Sequence, residues 1–256
     1  MFGKKFSIRR RSASYGGTRG SENRGSHRGK EIAMKTLQIL YQDDGLVAVD
    51  KPAGILVHQT NTPEPDDQVA MKILRDQLGQ KIYTIHRLDR PTSGVLLFAL
   101  FKASLRLAHD LFEKRKVTKK YLAVVHGKTE TEWEADTPLR RSTDEEKRAA
   151  LTHFKQIEFR PAGSFPDAPD LEVSLVEATP HTGRYHQIRQ HLQLSGHPIV
   201  GDYLYGDMEH NTRVSEQIGH TRMMLRATEL HFIHPETGVP IDIHAPPSPD
   251  FSFFEG

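Results

Sequence analysis

The sequence predicts an α+β fold built on mainly antiparallel strands. Two stretches, "DDQVAMKILRDQLG" and "KASLRLAHDLFEKRKVTKKY", space their apolar residues as amphipathic helices do. Short apolar runs bounded by Gly, Pro and Asp read as strands. The mixture shows neither an internal repeat nor the regular strand-helix alternation of a parallel sheet.

Taken in order, the ordered domain is expected from about Leu37. Residues 45–49, "GLVAV", read as a strand, and "DKPAG" as a constrained turn after it. Val69, Ile73, Leu74 and Leu78 share one side of the first helix, with Asp66 or Asp67 as its cap and Gly79 as its end. Pro91 biases Arg90 away from helical geometry, so "HRLDRPTSG" occupies an extended or turning connection. Gly94 then admits a tight approach before Val95, Leu96, Leu97 and Phe98 enter a buried strand.

Leu107, Ala108, Leu111 and Phe112 give the second helix its apolar side. Lys114, Arg115, Lys116, Lys119 and Lys120 place positive charge late in that helix and beyond it. They serve either dipole stabilisation and solubility or the positioning of phosphate. "YLAVVHG", "LTHFKQIEFR" and "LEVSLVEATP" read as further strands. "HQIRQHLQLSG" is helical up to its glycine, and "ATELHFIHPETGVPIDIHA" suggests two short strands around a turn. The polar stretch "DMEHNTRVSEQIGHTR" has no clear pattern.

With 256 residues the chain can bury a substantial core, and 36% hydrophobic with 27% charged residues suits a soluble protein. No apolar run is long enough to cross a bilayer, and the basic N-terminus lacks the apolar core of a secretory signal. The absence of cysteine excludes disulfides, thiol nucleophiles and cysteine-ligated metals, and a cytoplasmic location is the expectation. Charge is unevenly spread. Residues 1–35 hold ten Lys or Arg against two Glu, while the remainder holds 25 basic and 31 acidic residues. Residues 1–35 are therefore expected to be a disordered basic arm, and 36–256 the folded domain. Such an arm either condenses onto RNA phosphates or acts as a solubilising tail.

Asp89, flanked by Arg87 and Arg90, has one reading as a catalytic carboxylate. In a cleft it is suited to attack or stabilise an electron-poor carbon, such as the anomeric carbon of a nucleoside. The other reading is a structural ion pair. Arg184 and Arg189 have the fork that grips phosphate or carboxylate, or else they neutralise Asp202 or surface carboxylates. His186 is a packed donor, a surface residue or a general base. His186 and His191 stand five apart rather than at the four-residue spacing of a helical zinc pair, so no metal site is expected. Tyr121 either packs or places its ring at a pocket edge against a base, and Leu225 is either core or a residue pressed on a flipped base. No phosphate-binding glycine loop or hydrolase nucleophile elbow is present.

The ordered series "KPAGILVH", "HRLDRPTSGVLLFA", "KKYLAVVHG", "HTGRYHQIRQHLQLSGHPIVGDYLYG" and "LHFIHPETG" resembles the RluA-type pseudouridine synthases, from about residue 37 to 247. The resemblance implies a mixed, mainly antiparallel sheet core with flanking helices and a central cleft. It implies isomerisation of uridine in RNA, with transfer RNA favoured and ribosomal RNA the alternative. Asp89 is then the catalytic carboxylate, Arg189 its partner, Tyr121 the residue beside the target base and Leu225 the apolar residue beneath it. Arg87 and Arg184 are expected on the substrate RNA. No cofactor, catalytic metal, membrane or obligate protein partner is implied. "LRATEL" carries Arg226 where that family commonly has histidine, which alters the local hydrogen bonding. Two readings compete: a noncatalytic RNA-binding or chaperoning protein, and a nucleosidase or glycosidase that uses Asp89 and releases free base.

Overall fold

The computed structural model describes residues 36–59, 67–142, 145–165, 169–219 and 222–254. The expected basic arm lies outside these residues. The described chain runs β1 (Gln38–Gln42), β2 (Leu46–Lys51), α1 (Ala70–Leu78), β3 (Tyr83–Thr84), β4 (Ser93–Ala99), α2 (Lys102–Glu113) and β5 (Val117–His126). It continues with β6 (Glu132–Ala135), β7 (Thr152–Arg160), β8 (Val173–Pro180), α3 (Gln187–Leu194), α4 (Met208–Ile218), β9 (Leu225–Ile233), β10 (Pro240–His244) and a short 3-10 helix, Pro249–Phe254. The fold is mixed α+β, as expected.

One sheet runs β1-β2-β4-β9-β5-β8-β7-β6, with β3 added on β4 and β10 on β9. Every described strand pair is antiparallel except β4 with β9, which meet only at Ser93–Arg226 and Gly94–Ala227. Strand β9 thus joins two halves of the sheet. Gly94, at φ +106, makes the joint possible, because a Cβ there would fall on the Ala227 backbone.

Strand β4 reads as a continuous apolar run because both its faces are covered. Leu96 and Phe98 share a core with Ala70 and Leu74 of α1. Val95, Leu97 and Ala99 share another with Ala108 of α2. A third core lies under the other half, where Val124, Phe154 and Val176 meet Ile188 and Leu192 of α3.

Three local expectations change. Helix α1 begins at Ala70 after Val69, with no side-chain cap; Asp67 instead faces Arg90 at 3.1 Å. Leu107 is exposed, and α2 buries Ser104 and Ala108. The unpatterned polar stretch forms α4, capped by Asp207, whose side chain accepts from the His210 N–H, and ended by Gly219 at φ 75.

Candidate active site

Asp89 sits in a turn closed by Thr92 N–H on the Asp89 carbonyl at 3.1 Å. Arg90 does not pair with Asp89. Its Nε donates to the Gly54 carbonyl at 2.9 Å, and its guanidinium reaches Asp67. Gly54 N–H returns a bond to the Arg90 carbonyl, also at 2.9 Å, so the "KPAG" turn and the Asp89 turn are locked together.

Lys51 completes that lock. Fully buried, it donates to the carbonyls of Pro52 and Ile55 at 3.0 Å and of Arg90 at 3.2 Å. Burial pushes its pKa down to about 7, against the pull of Asp89 and Asp50. Three carbonyl acceptors match the three N–H groups of an ammonium, and this favours the charged form.

The cation that holds Asp89 comes from α3. Arg189 grips Asp202 with Nε at 2.7 Å and Nη2 at 2.8 Å, and turns Nη1 to Asp89 Oδ2 at 3.2 Å. Burial works against its charge, but Asp202 and Asp89 together hold its pKa above the ordinary arginine value. Asp202 in turn accepts the backbone N–H groups of Leu204 and Tyr205. Both contacts on Asp89 fall on Oδ2, since His186 Nε2 lies 3.7 Å from that same oxygen. Among the described residues Oδ1 has no hydrogen-bond partner, and the side chain retains 20% exposure toward the cleft. The site therefore holds one carboxylate oxygen and leaves the other free.

The cleft has a volume of about 750 Å³ and is lined by all six residues singled out in the sequence: Arg87, Asp89, Tyr121, Arg184, Arg189 and Leu225. Tyr121 pairs across to Ala178 and Ala227, which places its ring beside the joint between the sheet halves. Burial, then the charge of Asp89, raises its pKa, so the phenol keeps its proton. Leu225 opens β9 on the cleft, whereas Arg226 lines a separate hollow with Asp50. There Arg226 donates to Asp50 Oδ2 at 2.7 Å, the Pro246 carbonyl at 2.9 Å and Ser93 Oγ at 3.3 Å. The residue that replaces the expected histidine thus braces the parallel joint from behind the cleft.

Arg87 is exposed on the cleft wall, and Arg184 is anchored through Nε on the Ala149 carbonyl at 3.0 Å. Arg115, Lys119 and Arg141 also line the cleft, against Asp89 and Glu113 as its acidic residues. His86 is held neutral, since burial and nearby Lys119 push its pKa down to about 3, and its Nε2 accepts the Leu97 N–H. Sequence reasoning did not single out Lys51 or Tyr205. The position of Lys51 at the end of an apolar strand was a usable signal; nothing local marks Tyr205.

Among the described residues no helix is long and apolar enough to cross a membrane. Among the described residues no three His, Asp or Glu side chains are grouped so as to hold a metal ion.

The family model "RNA pseudouridylate synthase" matches residues 45–194. A protein of Haemophilus ducreyi named tRNA pseudouridine synthase C is 43% identical over 219 residues, covering 82% of this chain and 90% of that protein. Its namesake in Haemophilus influenzae is 43% identical over 223 residues, covering 82% and 92%. The solved structure of human RNA Pseudouridylate Synthase Domain Containing 1 superposes with a TM-score of 0.68 at 28% identity, covering 83% of this chain and 84% of that one. The chain belongs to the RNA pseudouridylate synthase family.

Proposed function

We propose that this protein converts uridine to pseudouridine in transfer RNA, with Asp89 as the catalytic carboxylate. The substrate class rests on the names of its relatives in Haemophilus. The observation that carries the catalytic assignment is the Asp89 carboxylate, with Oδ2 tied to Arg189 and Oδ1 free in a basic cleft.

A uridine in a helix or folded loop does not present its ribose to such a cleft, so the target base must be extruded. Arg87, exposed at the wall, is placed to hold the RNA strand while this happens. Asp89 then acts on the ribose as the N1–C1′ bond breaks, and the held carboxylate is oriented before reaction begins. The detached uracil turns between Tyr121 and Leu225, and C5 bonds to C1′. C5 gives up its proton, N1 gains one, and no atom is added or lost overall. Tyr121, with its phenol protonated, serves as a hydrogen-bond donor and a packing surface for the base.

The test is site-mapped modification of purified transfer and ribosomal RNA by wild type and Asp89→Asn. Wild type should form pseudouridine in transfer RNA, and the variant should form none. Comparable activity in Asp89→Asn sinks the catalytic assignment; conversion confined to ribosomal RNA sinks the substrate assignment.

A further inference from the structure

His186 stands against Asp89, yet the proposed reaction gives it no task. Its backbone is left-handed, at φ 49 and ψ 33, just before the first turn of α3. Among the described residues Arg115, at φ 54, is the only other non-glycine residue with positive φ, and it lines the same cleft. Side chains held in this region oppose a local backbone preference, and such positions gather at functional sites.

The conformation points the ring at the carboxylate. Nδ1 lies 3.1 Å from the Tyr205 hydroxyl, and the ring stacks on Tyr185 with centroids 3.6 Å apart. Nε2 then faces Asp89 Oδ2 at 3.7 Å, across from Arg189 Nη1 at 3.2 Å. A gap of 3.7 Å is too long for a hydrogen bond from a neutral ring, but it is within ion-pair range once the ring is charged. Arg189 itself lies over the Tyr205 ring, 5.0 Å from its centroid, so Tyr205 touches both partners of Oδ2.

We propose that His186 is a positioning residue for Asp89: the neutral ring keeps Oδ2 against Arg189 and so presents Oδ1 to the ribose, whereas the protonated ring pairs with Asp89 and withdraws it. This rests on the pseudouridine reading of the site. The groups that face the ring are Asp89 and Arg87 from the β3–β4 connection, Arg189 from its own helix, and Asp202 and Tyr205 from the turn after α3. Burial lowers the pKa of the ring; Asp89 and Asp202 pull it up, and Arg189 and Arg87 pull it down. The net shift is downward, which makes the neutral ring the working form near neutral pH.

The decisive variants are His186→Asn, whose side chain tolerates left-handed backbone, and Tyr205→Phe, which removes the hydroxyl that orients the ring. Single-turnover rates on substrate RNA should fall about 10- to 100-fold in His186→Asn, as expected when a reacting group is slightly misplaced, with RNA affinity unchanged. The acid limb of the wild-type rate profile should disappear with the imidazole. Tyr205→Phe should lose less, and the double variant should be no slower than His186→Asn alone. In a separate NMR titration, Asp89→Asn should lower the His186 midpoint, because it removes a facing negative charge. A wild-type rate and pH profile in His186→Asn overturns the proposal, as does a His186 titration indifferent to Asp89→Asn. If wild type binds RNA but makes no pseudouridine, the proposed reaction fails, while the titration still decides whether His186 and Asp89 are coupled.

Discussion

Arg189 does two jobs that no lysine can share. Two of its nitrogens saturate Asp202, a residue only 1% exposed, and the third is left for Asp89. A lysine ammonium lacks the planar fork that holds Asp202 through two nitrogens while a third is aimed at Asp89. Arg189→Lys is therefore expected to slow conversion about 100-fold, as a misaimed reacting group does. Arg189→Met, which leaves Asp202 buried without its cation, should lose about 3–5 kcal/mol by urea unfolding. A fully active Arg189→Lys enzyme would show that Asp89 is positioned by something else. At this scale the residues that line the cleft were legible, and the Asp89–Arg189 pairing was expected only from the family resemblance, not from the local charge pattern. Arg87 and Arg90 stand beside Asp89 in sequence, and neighbouring charges invite the reading of a local pair. Arg90 has nearer acceptors in Gly54 and Asp67, and the true partner lies 100 residues away. Short-range pattern cannot encode that distance.

The joint between β4 and β9 decides whether Asp89 and Leu225 face one another. Gly94→Ala tests it, since the added Cβ meets the Ala227 backbone and no rotamer change can relieve the clash. Left-handed strain adds about 1–3 kcal/mol and forced overpacking about 1–3 kcal/mol more. Gly163→Ala is the control: its φ of +84 is similarly strained, but nothing lies within 4 Å of its Cβ. Thermal and urea unfolding should show the larger loss at Gly94, and conversion should fall only there. Equal losses would mean that the joint yields without cost. The tight approach at Gly94 was legible, but its partner was not, because two residues of parallel pairing leave no periodicity of their own. Helix α4 escaped for a different reason. Its caps, Asp207 and Gly219, are ordinary signals, but Met208 is exposed and Asn211 is buried, so no apolar stripe runs between them. Helices α1 and α2 were legible because each lays an apolar side on a core.

Across the whole molecule, charge is sorted by place rather than by amount. Residues 36–256 carry more acidic than basic side chains, yet the cleft gathers Arg87, Arg115, Lys119, Arg141, Arg184 and Arg189 against two carboxylates. Composition alone reads the domain as acidic; folding collects basic side chains along one cleft, Arg189 among them already committed to Asp202 and Asp89. The ten Lys and Arg of residues 1–35 form a second store of positive charge, outside the described residues. The two stores should separate in a salt titration of RNA binding. Each phosphate contact contributes a slope of about −0.7 to −0.9 in log K against log salt. Arg115→Ala should flatten that slope by about one contact and slow conversion of RNA at subsaturating concentration. Removal of residues 1–35 should flatten it by several contacts and weaken binding, while the modified position and the rate from bound RNA stay the same. A truncated protein that modifies a different uridine, or that binds saturating RNA but turns it over slowly, would place the arm inside the recognition step rather than beside it.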